Sequence, residues 1–453
     1  MNHLHEIRPL YFLVEETNRE LASRVLLATV AAASGITSYI VPQWLAWEYL
    51  VHLPHGVILF KGNNNAQSAH MVAARAAGHR VAAIEEEILG VTEPSQILQH
   101  FHPKHIDACE LFLLQSEHVR DHLIAQFPTL GERMTVTGNP RTDLLREPLS
   151  SEIQDRAAKL REERGDFILV NTNFASINPR VEDAVSDYET CVRVGVIDPG
   201  NANDRVQFLN RCRWERQNMA LLAQVIAASK ANTTIPKIII RPHPSENLER
   251  WREAYPDDND VLVIREGEHT AWTAAAKLLL HTGCTTGVEA VLLGTPALSL
   301  QGGASDWHRT HTSNFVNHTA RSVEEALGYI EVVLRAEDGG HGIAPEMQVE
   351  LERQLLPSGA ETAAERIVAA LVRLAADGAD NGGRTALPEW FYNQKLLASN
   401  HKIDTSAFEP KAIRALAERI AAALGHSAIP DINAIGEGMI QFTPARHPNC
   451  PQF

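Results

Sequence analysis

The segment HTGCTTGVEAVLLGTPALSL, residues 281–300, contains the residue types of an anion-binding site. An apolar run leads into a turn that contains glycine, and Thr285 and Thr286 then open a helix-like run with Glu289 about one turn further on. Amides and hydroxyls at a helix N-terminus favour a bound phosphate, and the helix dipole adds to this preference. Glu289 would then be placed to accept hydrogen bonds from ribose hydroxyls. A structural alternative stays open, because a hydroxyl residue followed by Glu is also typical of a capping box.

A second chemical segment, RPHPSE at 241–246, directly follows the apolar run KIII. Arg241 and His243 are therefore expected at the carboxyl end of a buried parallel strand, where open α/β sheets bind their ligands. The prolines on both sides of His243, including Pro244, fix the backbone around the imidazole. A rigidly held imidazole beside a cation suits a phosphate leaving group, as a hydrogen-bond donor or as an acid. The alternative is a histidine that only caps the end of the strand.

Three consecutive acids, Glu85, Glu86 and Glu87, end another apolar run, RVAAI. Side chains alternate between the two faces of a strand, so these three cannot all belong to one solvated face. At least one is expected at the ligand edge of the sheet, where a carboxylate acts as a base or as a nucleophile. We predict Glu86 as the catalytic carboxylate, with Glu87 and then Glu85 as alternatives. Surface charge at the start of a loop is the structural alternative.

Three further strand exits carry polar residues that could support a phosphate site. Asn171 and Asn173 lie in NTNF, Asn139 and Arg141 lie in VTGNPRTDLL, and Lys61 opens KGNNN. Backbone amides and a cation at such exits can contact a phosphate. We predict that the two asparagines of NTNF bind the donor substrate and that the other three residues support the site. Ordinary turn chemistry explains the same residues equally well.

Several other kinds of site are not supported by the sequence. The D-x-D at 258–260 lies in a polar turn, and the five cysteines form no Cys-x-x-Cys pair, so we predict no metal site and no disulfide framework. No G-x-G-x-x-G follows a strand, and neither a Walker A loop nor a G-x-S-x-G elbow is present. We therefore expect no cofactor.

The overall composition limits the partners and the compartment. The formal net charge is -15, from 41 basic and 56 acidic residues, which argues against non-specific nucleic-acid binding. The N-terminal apolar stretch is too short and too soon followed by acids for a signal peptide or a membrane anchor. We expect a cytoplasmic protein that associates at most peripherally with the inner face of the membrane.

Strand-like and helix-like runs alternate along most of the chain, which is typical of parallel sheets covered by helices. A charged, helix-prone stretch near 146–165 separates two such series. We therefore predict an α/β protein with two Rossmann-like, doubly wound domains at 1–147 and 165–340, followed by a helical C-terminal extension at 341–453.

The order of these segments resembles a bacterial family of surface carbohydrate biosynthesis proteins. In broader outline it is similar to the double-Rossmann (GT-B) glycosyltransferases that use CMP-activated acidic sugars, namely the bacterial sialyltransferases and the Kdo transferases of capsule and lipopolysaccharide synthesis. The resemblance covers about residues 9–320 and rests on EETNRE, IEEE, VTGNPRTDLL, NTNF, RPHPSE and HTGCTTGVEA.

This resemblance implies that His243–Pro244 and Thr285–Thr286 hold the phosphate of CMP and that the acidic motif supplies the catalytic carboxylate. The chain departs from the family where Ile88 replaces the usual glycine after the acids. The implied activity is metal-independent transfer of Kdo or a related acidic sugar, with the donor bound by the second domain. The acceptor would be a surface polysaccharide or a lipid-linked glycan, bound by the first domain.

Alternatives stay open on the same fold. The run GVEAVLLGTP also resembles UDP-sugar epimerases and the polyol-phosphate transferases of teichoic acid synthesis. A non-catalytic assembly protein that binds a nucleotide-sugar is a further alternative from a different functional class.

Overall fold

The computed structural model describes residues 8–63, 65–86, 88–99, 101, 103–180, 186–193, 197–256, 260–336, 343–355, 359, 361–376, 384–393, 403–436 and 438–445. These residues form two compact units. Unit 1 comprises 1–89, 94–150 and 352–453, and unit 2 comprises 90–93 and 151–351.

The strands are short and mostly buried on both faces, as is typical of parallel sheets that are covered by helices. They are β1 (Leu10–Val14), β2 (Ser38–Pro42), β3 (Val57–Phe60), β4 (Arg80–Ile84), β5 (Leu111–Leu114), β6 (Met134–Val136), β7 (Phe167–Asn171), β8 (Lys237–Arg241), β9 (Val261–Val263), β10 (Leu278–His281), β11 (Ala297–Leu300), β12 (His318–Ala320), β13 (Asp431–Ile435) and β14 (Met439–Thr443).

Most of the helices connect successive strands and cover the two faces of each sheet. They are α1 (Thr17–Ala33), α2 (Gln43–Glu48), α3 (Asn65–Ala76), α4 (Pro94–Gln99), α5 (Glu117–Gln126), α6 (Pro140–Asp143), α7 (Ser151–Arg164), α8 (Tyr188–Arg193), α9 (Ala202–Lys230), α10 (Leu248–Ala254), α11 (His269–Ala275), α12 (Thr285–Leu292), α13 (Ser313–Val316), α14 (Val323–Arg335), α15 (Pro345–Gln354), α16 (Ala363–Ala376) and α17 (Pro410–Ala423).

Unit 1 contains an eight-stranded sheet in the order β13-β14-β2-β1-β3-β4-β5-β6. Strands β1 to β6 pair in parallel, whereas β14 joins β2 in the antiparallel sense and β13 pairs antiparallel with β14. From β1 the chain builds outward to β2 on one side and to β3 on the other. The carboxyl ends of β1 and β3 therefore flank a topological switch point, where open α/β sheets bind ligands.

Unit 2 contains a six-stranded, all-parallel sheet in the order β12-β11-β10-β7-β8-β9. The chain winds from β7 to β8 and β9, and then returns to β10 on the other side of β7. The switch point of this unit consequently lies between β7 and β10. The two sheets confirm the prediction of two Rossmann-like, doubly wound units.

The C-terminal part of the chain differs from the predicted helical extension at 341–453. Helices α16 and α17 pack against α1, and the β13–β14 hairpin extends the sheet of unit 1. Buried residues of these elements, including Ile367, Ile413 and Phe442, join the same core as Leu10 and Val25. The physical reason is an apolar stripe on each helix and an apolar face on β14, which are buried against unit 1.

No helix within the described ranges is long and apolar enough to cross a membrane.

Candidate functional site

Three strand exits of unit 2 are joined at the carboxyl edge of its sheet. The side-chain amide of Asn173, after β7, donates a 3.0 Å hydrogen bond to the carbonyl of Gly283, after β10. The backbone amide of His243, after β8, donates to the hydroxyl of Thr172 at 3.3 Å. The segments NTNF, RPHPSE and HTGCTTG, which are far apart in sequence, therefore meet at the switch point of this sheet.

The N-terminus of α12 opens onto this edge. Gly283 has φ +91°, and a Cβ at this position would lie 2.8 Å from the ring of His311, so the turn requires glycine. Cys284 is the N-cap residue, so neither Thr285 nor Thr286 caps the helix. The capping-box alternative, which needs one of these threonines as the N-cap, therefore does not describe this helix start. The first amides of α12 and its dipole are thus directed toward the switch point.

Two polar groups beside this helix start are buried without full hydrogen bonding. The hydroxyl oxygen of Thr286 has no partner among the described residues apart from its interaction with the Cys284 thiol. The side-chain nitrogen of Asn171, at the end of β7, is also unpaired within the described part of the chain. Burying such groups unpaired costs free energy, so they are ready to bind a ligand or a water molecule.

Thr285, the first residue of α12, lies against the segment 90–93 of unit 2. A Cβ at Gly90 would stand 2.7 Å from the Thr285 hydroxyl oxygen. The carbonyl of Gly90 accepts a 2.9 Å hydrogen bond from the amide of Thr312, which fixes the segment. No local sequence pattern indicates this contact, because nearly two hundred positions separate Gly90 from Thr285.

His243 is half-buried and has a defined tautomer. Its Nδ1 accepts a 3.2 Å hydrogen bond from the backbone amide of Ser245. The proton of the neutral ring therefore lies on Nε2, which makes Nε2 a hydrogen-bond donor. The neighbouring Pro244 is exposed and restricts the backbone after the histidine.

Sequence reasoning did not assign a role to Glu246, which organises this edge. Its carboxylate accepts hydrogen bonds from the Thr172 hydroxyl at 2.6 Å, the Phe174 amide at 3.1 Å and the Trp251 indole at 2.8 Å. The residue is fully buried, and burial raises the pKa of its carboxyl group. Glu246 thus ties the exits of β7 and β8 together. Its place three residues after His243, at a strand exit, was the available sequence signal.

The predicted phosphate ligand Arg241 has a different set of partners. Its guanidinium donates to the carbonyl oxygens of Glu266 and Gly267, the latter at 3.0 Å, and lies 5.4 Å from the centre of the Trp272 ring. Burial lowers the pKa of Arg241 to about 10. The side chain therefore holds the loop between β9 and α11, because that loop offers it two carbonyl acceptors.

Glu289 lies one turn into α12, as expected from the sequence, and only 4% of its side chain is exposed. Its Oε2 lies 2.8 Å from Nε2 of His269, the first residue of α11. The imidazole is the more accessible member of this pair, with 35% of its side chain exposed. His269 lies in no motif that the sequence indicates.

In unit 1 the residue predicted to be catalytic, Glu86, is committed to an internal ion pair. Its two carboxylate oxygens lie 2.8 and 3.1 Å from the guanidinium of Arg24, and both residues are almost fully buried. Burial opposes ionisation of Glu86, but the charge of Arg24 outweighs it and lowers the pKa of this carboxyl. This geometry corrects the expectation from sequence. The Glu86 side chain faces the interior, where Arg24 neutralises its charge and holds it just beyond the end of β4.

Glu85 faces the exit of β3 instead. One of its oxygens accepts a 3.3 Å hydrogen bond from the amide of Asn63, and a Cβ at Gly62 would lie 2.6 Å from the same oxygen. The adjacent Lys61 forms a 2.7 Å ion pair with Glu15, which follows β1. Acidic and basic groups thus meet at the switch point of unit 1. The third predicted acid, Glu87, lies outside the described residues.

The two supporting residues of VTGNPRTDLL lie at the exit of β6 in unit 1. The side-chain oxygen of Asn139 accepts a 3.0 Å hydrogen bond from the Arg141 amide and caps α6. Arg141 also contributes to lowering the pKa of Glu86. The side-chain oxygen of Asn139 therefore has a turn role, whereas its side-chain nitrogen is buried without a partner among the described residues. Arg141 lies near the acidic strand end.

No group of three His, Cys, Asp or Glu side chains with metal-binding geometry occurs in the part of the chain that the structure describes.

Comparisons with known proteins give structural matches only. No protein-family model and no curated protein matches the chain. The chain is similar to UDP-GlcNAc 2-epimerase from Methanocaldococcus jannaschii, which was solved in complex with UDP-GlcNAc and UDP. The TM-score is 0.51 at 13% sequence identity, and the match covers 81% of this chain and 99% of that one. A second structure of that epimerase gives a TM-score of 0.50 with the same identity and coverage.

A UDP-N-acetylglucosamine 2-epimerase from Rickettsia bellii is matched at a TM-score of 0.47 and 13% identity, over 83% of this chain and 97% of that one. The two archaeal structures and the strand order of the two sheets indicate the fold of the chain. By these features, the chain has the two-domain, Rossmann-like α/β fold of the GT-B type.

Proposed function

We propose that this chain is an enzyme that acts on a nucleotide-activated sugar, with the nucleotide phosphates bound at the carboxyl edge of unit 2. The N-terminus of α12 at the switch point between β7 and β10 carries this proposal. The unpaired groups of Thr286 and Asn171 beside it offer further hydrogen bonds to phosphate oxygens. Helix N-termini and hydroxyl groups are a recurrent way of binding phosphates.

The same donors suit cleavage of the bond between the anomeric carbon and the phosphate oxygen. The electron pair of that bond moves to the phosphate, which gains negative charge as it leaves. Fixed donors directed at this charge stabilise the transition state more than the ground state. The α12 amides, the Thr286 hydroxyl and the Nε2 proton of His243 are the donors that we assign to this task.

We propose UDP-sugars as the substrates, in place of the CMP-sugars implied by the sequence resemblance. The support is that the matched archaeal epimerase, at a TM-score of 0.51, was solved with UDP-GlcNAc and UDP. The first reaction to consider is accordingly epimerisation at carbon 2 of the sugar. This reaction needs no acceptor and returns a UDP-sugar.

Glycosyl transfer to a polysaccharide or lipid-linked acceptor is the second candidate. It is favoured by the acidic end of β4, where Glu85 accepts a hydrogen bond from the amide of Asn63 at the exit of β3. A carboxylate in that position would remove the proton of an acceptor hydroxyl. Glu85 is therefore our proposed catalytic residue in unit 1 for this reaction.

The test begins with thermal shifts of the purified protein in UDP, CMP, GDP and CDP. A nucleotide at a hundred times its Kd should stabilise the protein by about 2.7 kcal/mol. We expect UDP to give the largest shift, and a CMP shift without a UDP shift would contradict the UDP proposal.

Incubation with UDP-GlcNAc, followed by NMR, separates the two candidate reactions. Formation of the 2-epimer without an acceptor supports epimerisation. Absence of the 2-epimer, together with UDP release that depends on an acceptor, supports glycosyl transfer.

The anion site itself is tested by changing Thr285 and Thr286 together to alanine. We expect UDP affinity to fall about tenfold or more, because hydrogen bonds to a charged phosphate contribute about 1.5–3 kcal/mol each. Isothermal titration calorimetry measures this change, with Thr234→Ala on the exposed turn after α9 as the control. Unchanged UDP affinity with a lowered melting temperature would mean that the threonines only begin the helix.

A further inference from the structure

The outward face of α9 between residues 202 and 220 combines arginines with aliphatic side chains. Its exposed members are Arg205, Val206, Leu209, Arg213 and Arg216. At 3.6 residues per turn they fall within an arc of about 100° on one side of the helix. Val206 is 51% exposed and Leu209 is 56% exposed, so both face water in the isolated chain.

No acidic residue lies on this face of the helix. The acids of the same stretch are Asp204 and Glu215. Asp204 accepts hydrogen bonds from the amide of Asp198 and the side chain of Asn201 at the helix start. Glu215 is buried and pairs with Arg211 at 3.1 Å. The exposed arginines of the face form no ion pair within the described part of the chain, although the formal net charge of the protein is -15.

The opposite face of this stretch anchors α9 in unit 2. Phe208 and Cys212 are buried in one cluster with Ile197. Trp214 is also buried, and its indole donates a 3.0 Å hydrogen bond to Nδ1 of His308. The exposed face, about 28 Å long at 1.5 Å per residue, therefore belongs to a helix that is already folded and fixed. A partner that binds there does not have to order it first, which reduces the entropy lost on binding.

The mixture of side chains on this face matches the surface of an anionic lipid bilayer. The headgroups attract exposed arginines, and the acyl boundary takes up aliphatic side chains that otherwise face water. The apolar stems of the arginines can lie along the same boundary while the guanidinium groups stay among the headgroups. A nucleic acid would use the arginines alone and leave Val206 and Leu209 in water, and the negative net charge opposes such a partner.

We propose that this face of α9 docks unit 2 onto an anionic lipid surface. The arginines contact the headgroups, and Val206 and Leu209 enter the boundary between headgroups and acyl chains. The inference is independent of the proposed nucleotide site, because none of these residues belongs to that site. For glycosyl transfer, such docking would hold the enzyme at the surface that carries a lipid-linked acceptor.

The experiment is sedimentation of the full chain with vesicles made of equal parts of phosphatidylcholine and phosphatidylglycerol, compared with vesicles of phosphatidylcholine alone. We expect binding to the anionic vesicles only, and we expect added salt to weaken it because exposed charges are screened. Arg213→Gln combined with Arg216→Gln should weaken binding about 25-fold, since each arginine at an anionic surface contributes about fivefold. Leu209→Ser should weaken it several-fold without any change in charge.

Arg252→Gln combined with Arg335→Gln is the matched control. These arginines are 49% and 79% exposed on α10 and α14 of the same unit, so the pair changes the net charge equally. The control should bind anionic vesicles like the native protein, and circular dichroism checks that every variant is folded. Equal losses in the two double variants, or retained binding in Arg213→Gln with Arg216→Gln, would overturn the inference.

The native protein supplies a further decisive result. If it fails to sediment with the anionic vesicles, membrane docking is wrong, and binding to soluble dextran sulfate in that case would assign the face to a soluble polyanion. The affinity for UDP should be native in all these variants. Failure of the docking proposal therefore leaves the nucleotide site standing, and failure of UDP binding leaves the docking proposal standing.

Discussion

At the residue scale, Glu85 and Glu86 are neighbours in the chain with different surroundings. Glu86 is paired with Arg24 in the interior, whereas Glu85 accepts from the amide of Asn63 at the sheet edge. Both acids are buried just beyond the end of β4, but one meets Arg24 of α1 and the other meets the exit of β3. Substitution by glutamine should consequently lower turnover at position 85 and lower the stability of the fold at position 86.

We expect Glu85→Gln to lower turnover about a hundredfold, the usual scale for losing acid–base catalysis, with little change in stability. Glu86→Gln should destabilise the fold by about 3–5 kcal/mol, because the buried charge of Arg24 loses its partner. Turnover of UDP-GlcNAc and urea unfolding measure the two effects, and Glu117→Gln on the exposed face of α5 is the control. Loss of turnover in Glu86→Gln at native stability would reverse the assignment.

At the element scale, the β13–β14 hairpin completes the sheet of unit 1. Strand β14 pairs with β2, and Ile440 and Phe442 on it are fully buried. The hairpin covers an edge of the parallel strands that would otherwise present unpaired backbone groups. The last part of the chain is therefore a structural component of unit 1.

We expect Phe442→Ala to destabilise unit 1 by about 3–5 kcal/mol, since truncating a buried aromatic side chain removes its contacts and leaves a cavity. Ile429→Ala is the matched control, because that side chain is 44% exposed just before β13. Urea unfolding followed by circular dichroism measures both variants. Equal stability of the two would show that β14 is not part of the core.

At the scale of the whole molecule, buried ionisable groups make the stability depend on pH. Burial lowers the pKa of His79 to about 4, of His311 to about 4 and of His281 to about 3. In the unfolded chain these histidines take up protons near pH 6.5, whereas in the native chain they do so only near their lowered pKa values. The histidines therefore reduce the free energy of unfolding as the pH falls from 6.5 toward 4. Glu215 and Glu246, whose pKa values are raised mainly by burial, act in the opposite direction.

A single-residue comparison separates these opposing contributions. His79 accepts from the amide of Gly56 and lies 3.0 Å from the carbonyl of Leu50, so we expect His79→Gln to destabilise the protein at pH 7.5. The difference from the native protein should shrink by about 1.4 kcal/mol per pH unit between pH 6 and pH 5. Urea unfolding at pH 7.5, 6 and 5 measures it, and a difference that stays constant with pH would contradict the neutral state of the buried ring.

The alternation of buried strands and helices can be predicted from the sequence alone, and so can the placement of chemical residues at strand exits. His243, Thr285 and Glu85 could be placed there because each lies within a few residues of the end of a local apolar run, and parallel strands bring their carboxyl ends to one edge of each sheet. These inferences use only neighbouring residues and the period of the pattern, so they do not require the fold to be known.

The partners of these residues from distant parts of the chain depend on the tertiary structure. Glu86 meets Arg24 across 62 positions, and His269 meets Glu289 across 20, so no local pattern reveals either pair. Arg241 turns to two carbonyls of a distant loop, and the hairpin at the end of the chain returns to β2. In each case a charged or apolar side chain has its lowest free energy when it contacts partners that folding brings close from distant positions in the sequence.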